Sequence, residues 1–196
     1  MSDQAFDLTT ITRRSLALGL GASALAVSPA FAADDSTYSE PEIAQAAEDF
    51  FGAGAEGVAS VVRHVFEDYG RPNGYIEGQE GSGAFGFGLR YGRGDLRLRP
   101  YPGVTEVYWQ GPSIGFDTGG NAAKVFTLVY NMTHPDQIFR RFPGVDGSAY
   151  FIGGVGVNYQ RAEGIVLAPM RAGLGFRLGA NIGYLAYSRR RRLNPF

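Results

Sequence analysis

The chain has 196 residues, no cysteine, two histidines, and 18 basic against 19 acidic residues, for a net charge of −1. Without cysteine there are no disulfides, thiol chemistry or iron–sulfur ligation, and two histidines leave little for zinc or haem, so no cofactor or metal is expected. A near-neutral chain lacks the basic balance of a general nucleic-acid binder, and its 29 glycines follow no fixed period, which excludes collagen and solenoid repeats.

Residues 1–32 read as a cleavable export signal. Arg13-Arg14 supplies the charged part, 16–27 the apolar part, and Ala30-Phe31-Ala32 the small-x-small pattern that signal peptidases cleave. Cleavage after Ala32 leaves 164 of the 196 residues. The paired arginines suit a twin-arginine signal as well as a plain secretory one, and by either route the expected location is the periplasm. The apolar run is shorter than the about 20 residues that span a bilayer. Residues 33–39 are a polar, flexible lead-in, and 40–196 are expected to form one glycine-rich domain.

Two amphipathic helices open that domain. The first has Ser39 as N-cap, Pro41 in its first turn and an apolar side of Ile43, Ala46, Ala47, Phe50 and Phe51, before Gly52 and Gly54 break it. The second fits 56–69, with Val58, Val61, Val62, Val65, Phe66 and Tyr69 at three- and four-residue steps.

From Tyr75 the period changes to two. In 84–92, Phe85, Phe87, Leu89 and Tyr91 alternate with Gly86, Gly88, Arg90 and Gly92. Leu96 and Leu98 then alternate with Arg97 and Arg99, and 104–109 is a further strand. Residues 123–130 are apolar on both faces, which suits a central strand. A short helix is predicted over 135–141, and strands over 149–160 and 163–169. The clearest alternation is 172–184, bulky on one face and nearly bare on the other. Such a ribbon either bends sharply or has something pressed against its bare face. The predicted fold class is therefore α+β, mainly β: a small, strongly curved antiparallel β-barrel-like domain with two N-terminal amphipathic helices.

Three short motifs match catalytic or nucleotide-binding patterns without their context. Gly81-Ser82-Gly83-Ala84-Phe85-Gly86 fits a dinucleotide fingerprint, but a strand rather than a helix follows it. Gly111-Pro112-Ser113-Ile114-Gly115 fits a nucleophile elbow, but reads as a turn with no helix after it. Asp117-Thr118-Gly119 resembles one half of an aspartic-protease pair, and reads more simply as a hairpin turn. His64 and His134 read as solvated or capping residues. The run Arg189 to Arg192 reads as a solvated tail or a site for anionic headgroups.

Phe50-Phe51-Gly52, Tyr69-Gly70-Arg71-Pro72-Asn73, Gly88-Leu89-Arg90-Tyr91-Gly92, Val107-Tyr108-Trp109-Gln110-Gly111-Pro112-Ser113 and Leu128-Val129-Tyr130-Asn131 together form a specific set. So do Phe142-Pro143-Gly144-Val145-Asp146-Gly147, Leu178-Gly179-Ala180-Asn181-Ile182-Gly183-Tyr184 and the closing Asn194-Pro195-Phe196. On these stretches, from about residue 40 to the end, the chain resembles the EipA-type periplasmic envelope-integrity family. The resemblance implies a small β-barrel-like domain that supports the cell envelope, with no established catalytic residues. A tryptophan usual before the final Asn-Pro-Phe is replaced here by Leu193. Residues 84–131 are also similar to the lipid-binding SYLF domain.

The expected function is non-enzymatic support of the envelope by binding an envelope lipid, a lipopolysaccharide precursor, or a periplasmic or membrane protein. The expected ligand contacts are Arg90, Arg97, Arg99, Tyr108, Trp109 and Arg177, because arginines and exposed aromatics beside a bare curved face suit an amphipathic guest. For Tyr108 and Trp109, core packing is the competing expectation. The alternatives are a periplasmic hydrolase using Ser113 or Asp117, and an outer-membrane-associated β-barrel.

Overall fold

A computed structural model describes residues 36–52, 57–85, 87–114, 122–172 and 183–192. The export signal, Asp117, Arg177 and the closing Asn-Pro-Phe therefore lie outside the described residues. No helix among the described residues is long and apolar enough to cross a membrane.

Two helices come first, α1 (Glu40–Phe51) and α2 (Val58–Tyr69). Ser39 is the N-cap of α1, and its backbone N–H and Oγ both donate to the Glu42 carboxylate, at 2.8 and 2.7 Å. Ten strands follow: β1 (Gly74–Phe85), β2 (Phe87–Leu98), β3 (Tyr101–Ile114), β4 (Ala122–Tyr130), β5 (Arg141–Pro143), β6 (Tyr150–Ile152), β7 (Val155–Val157), β8 (Gln160–Ala162), β9 (Ile165–Ala172) and β10 (Tyr184–Ser188). All pair antiparallel in one sheet of order β5-β10-β3-β2-β1-β4-β9-β7-β6, with β8 also on β9. The sheet curls until its ends meet. Gly144, next after β5, bridges to Gln160 of β8, and Val145 N–H donates to Tyr159 C=O at 2.8 Å.

The curl separates two cores. Inside lie Ile76, Leu96, Leu98, Val107, Trp109, Val125, Val129, Phe142, Leu167 and Leu185. Outside, the apolar stripes of α1 and α2 cover Phe126, Leu128, Tyr130, Val166, Ala168 and Met170 of β4 and β9. β4 is buried on both faces because one face joins each core, as its unbroken apolar run predicted. Lys124 ties α1 down: its ammonium donates to Phe50 C=O at 2.7 Å and to Phe51 C=O at 3.2 Å, placing a cation at the helix C-terminus. On α2, Asp68 accepts from the Tyr159 hydroxyl, which lies 3.1 Å from the Tyr150 hydroxyl. The His64 ring meets Tyr150 edge-on with centroids 4.5 Å apart. His134 caps the following turn, as expected, its Nδ1 accepting from Asp136 N–H at 3.2 Å.

Several strand boundaries correct the sequence reading. Residues 84–92 are not one strand: Phe85 ends β1 and pairs with Phe87 at the start of β2. The predicted strand 149–160 is β6 and β7, joined by a turn at Gly153-Gly154, both with positive φ that favours glycine. The predicted helix 135–141 is a single 3-10 turn, Pro135–Ile138. Gly111-Pro112-Ser113 is not a turn but part of β3, paired with Arg90, Leu89 and Gly88. The hairpin turn expected at Asp117-Thr118-Gly119 lies outside the described residues, and the strands on either side of it, β3 and β4, are separated in the sheet by β2 and β1. The ends of the 172–184 run, Ala172 and Tyr184, belong to β9 and β10, and 173–182 lie outside the described residues.

Candidate functional site

The inward face of β1 and β2 is bare at Gly78 and Gly92 because one side chain fills the space before them, and at Gly94 because the backbone of Glu77 and Gly78 lies against it. Trp109 stands opposite Gly92 in the register, and a Cβ on Gly92 would lie 2.1 Å from the indole. A Cβ on Gly78 would lie 2.5 Å from the same ring. The glycine positions of β1 and β2 are thus filled from within the chain, and Trp109, 3% exposed, is a core residue, while the bare face predicted over 172–184 falls largely outside the described residues.

The indole N–H donates to Glu80 Oε2 at 2.8 Å. Glu80 is itself held between two buried guanidiniums. Arg90 Nε and Arg171 Nε each lie 3.1 Å from its Oε1, and Arg171 also donates to Asn158 Oδ1 at 3.0 Å. All three charged side chains are 3% exposed. Burial alone would raise the pKa of Glu80; the charges of Arg171 and Arg90, with the hydrogen bonds from Arg171 and Trp109, outweigh it and hold the carboxyl below its usual range. This cluster closes one end of the interior and makes its partners inside the protein.

The outward face of the same strands carries a groove of about 410 Å³. Its floor is two adjacent rungs of the sheet. One rung is Gln79, Arg93, Tyr108 and Ser188, and the next includes Tyr91 and Gln110. Arg191 and Arg192, just beyond β10, form the wall. Arg93, Arg191 and Arg192 make no ion pair among the described residues. The rung beyond Arg93 is acidic, with Glu77, Asp95 and Glu106 side by side. Tyr108 hydrogen-bonds Glu106, which raises its phenol pKa.

The residues singled out from sequence fall in three places. Arg90 and Trp109 are inside. Arg97 pairs with Glu77 at 2.6 Å, while Arg99 pairs with Glu42 of α1 at 3.0 Å and stacks on Tyr38. Tyr108 lines the groove, and the buried Trp109 also borders it. Strand parity separates Arg90 from Arg97 once Leu96 and Leu98 mark the inward side. The same parity would have found Arg93 and Gln79 on the outward face.

Ser113 and His134 lie at opposite ends of β3. His134 packs on Tyr101 at the opposite end of β3, with roughly 35–40 Å of strand between it and Ser113. Among the described residues no three acidic or histidine side chains are grouped to hold a metal ion. The apolar interior and the acidic outer rung invert the pattern of a membrane barrel, which is apolar outward.

No curated protein matches the chain. A crystal structure of a beta-barrel-like, uncharacterized protein from Brucella abortus is similar to it, with 48% sequence identity and a TM-score of 0.74, covering 82% of this chain and 99% of that one. The family model described as envelope integrity protein A matches residues 36–196. Residues 36–196 carry the family's sequence pattern and a curled barrel-like sheet with two helices on its outside: the chain belongs to the envelope integrity protein A family.

Proposed function

We propose that this member of an envelope-integrity family works in the periplasm as a non-enzymatic binding protein, holding an anionic envelope component in the outward groove of β1, β2, β3 and β10. The observation that carries this reading is the arginine rim. Three guanidiniums, Arg93, Arg191 and Arg192, border one cavity without an ion pair among the described residues, in a chain whose net charge is only −1. The guanidinium fork matches the oxygens of phosphate and carboxylate, and a polar-lined cavity on a rigid sheet is suited to holding a ligand in one orientation.

The interior does not support the alternative of a guest enclosed by the barrel, because Trp109 and the Glu80 cluster take up the space facing the glycines. The test is extraction and mass spectrometry of protein purified from its native periplasm. A species should co-purify with the wild type and be lost from the Arg93→Glu/Arg192→Glu variant, which should also fail to support growth under envelope stress. Clean wild-type protein across repeated preparations, with full support from the charge-reversed variant, would end the proposal.

A further inference from the structure

Resting on that reading of the groove, we infer that the ligand is gripped by an acidic or phosphorylated sugar and not by acyl chains. No aliphatic side chain is among the residues that line the cavity. An acyl chain gains about 0.8 kcal/mol for each methylene taken out of water, but only against apolar surface. Here it would instead strip water from the exposed Gln79 and arginine side chains without replacing the lost hydrogen bonds. The same lining suits a saccharide. The exposed Gln79 amide matches ring hydroxyls, and Tyr91 and Tyr108, set diagonally on neighbouring rungs, offer flat apolar faces to the C–H face of a sugar. The volume of about 410 Å³ falls in the size class of small-molecule sites, about 300–1,000 Å³.

Charge sets the direction. Beyond Arg93, Asp95 and Glu106 repel an anion, while Arg191 and Arg192 lie on the other wall. The anionic group therefore points toward the tail arginines, and the uncharged ring lies over the tyrosines. Two sources share this chemistry: the phosphorylated sugar headgroup of a glycolipid, and an acidic glycan that carries no lipid.

Calorimetric titration at low salt distinguishes these, using glucosamine 1-phosphate, glucose, inorganic phosphate, a soluble acidic glycan fragment, phosphatidylglycerol vesicles, and vesicles carrying a phosphorylated disaccharide glycolipid. Glucosamine 1-phosphate is expected to bind at least tenfold more tightly than glucose or phosphate. Arg191→Ala/Arg192→Ala should weaken it at least tenfold, as should Tyr91→Ala, with the melting temperature of the arginine variant unchanged because both residues are exposed. Competition by the glycolipid vesicles assigns the sugar to a headgroup, and competition by the soluble fragment alone assigns it to a free glycan; either outcome supports the inference. Phosphate binding as tight as the phosphosugar overturns it, as does phosphatidylglycerol binding that the phosphosugar cannot displace. Both of those results leave an anionic ligand in the groove. Silence from every probe, together with clean protein from the periplasm, removes both readings.

Discussion

Replacing Glu80 by glutamine tests whether the interior depends on one carboxylate. Glu80 lies 3.1 Å from both Arg90 Nε and Arg171 Nε and accepts the Trp109 indole proton at 2.8 Å. Glutamine keeps the shape and can still accept from Trp109, so the change isolates charge. Removing one member of a buried ion cluster costs about 3–5 kcal/mol, because the remaining charges stay buried without compensation. Here two guanidiniums would remain. Against a total stability of about 5–15 kcal/mol, a loss of about 4 kcal/mol lowers the melting temperature by about 8–16 °C in a domain of this size. Urea unfolding followed by the fluorescence of Trp109, the chain's single tryptophan, reads the loss beside the cluster itself. The pH dependence provides a second arm. The folded pKa of Glu80 lies below its unfolded value, so its stabilisation is fully present above about pH 4.3 and is lost as pH falls through the folded pKa. Glu80→Gln should lack that acid-sensitive component. The simultaneous change Glu80→Leu/Arg90→Met/Arg171→Met should lie closer to wild type than the single variant, since it leaves no uncompensated charge. A Glu80→Gln loss under about 1 kcal/mol at pH 7, well short of the cost of breaking a buried pair, would refute the assignment of the carboxylate as the counter-charge.

Gly92→Ala should destabilise by about 1–3 kcal/mol, since its Cβ would meet the indole at 2.1 Å, and most of that loss should disappear in a Trp109→Leu background in a double-mutant cycle. Tyr159→Phe removes the hydroxyl bound to Asp68 and Tyr150, and should cost about 1.5–3 kcal/mol in urea unfolding, as for a hydrogen bond to a charged group. Burial pushes the Tyr150 phenol up to about 12, so ultraviolet titration should show its ionisation well above that of exposed tyrosines. Because that folded pKa is raised, the linked stability is intact below about pH 10 and is lost as pH rises toward 12. Arg99→Ala breaks a half-exposed pair with Glu42 and should cost less than about 1 kcal/mol, while increasing amide exchange in α1 more than in β4.

The helices were legible because their signals are local. Ser39, Pro41 and the valine spacing of α2 each act within a turn or two, and tertiary packing only confirms them. The β regions show a subtler signal in the parity of the bulky residues. In β2 the bulky residues at 87–91 are odd-numbered, whereas Leu96 and Leu98 are even-numbered, and the pairing of β1 with β2 runs through without a bulge. The backbone does not switch faces between them; the way the interior is filled does. At one end Leu96 and Leu98 fill it from β2 itself. At the other the inward positions are Arg90, Gly92 and Gly94, and the filling comes from Trp109 across the sheet and from the Glu80 cluster. A partner on another strand leaves no mark in the local pattern, so the glycines looked like room for a guest.

That reversal decides where binding is sought. If a bare inward face were empty, a ligand inside the barrel would be the natural reading, and the arginines of β2 would all be candidates together. With the interior filled, parity divides those arginines by physical role. Arg90 points inward, where a charge is tolerated only because Glu80 accompanies it. Arg97 and Arg99 point outward beside the helices, where Glu77 and Glu42 neutralise them. Arg93 points outward on the side that α1 and α2 leave uncovered, on the same rung as Tyr108 and Ser188 and below the tail arginines. The helices cover the β4–β9 side, where the outward residues are apolar, and leave exposed the β1–β3 side, where they are polar. Burial of apolar surface by the helices and exposure of a polar groove are therefore two consequences of one sequence pattern: which strands carry a second apolar face.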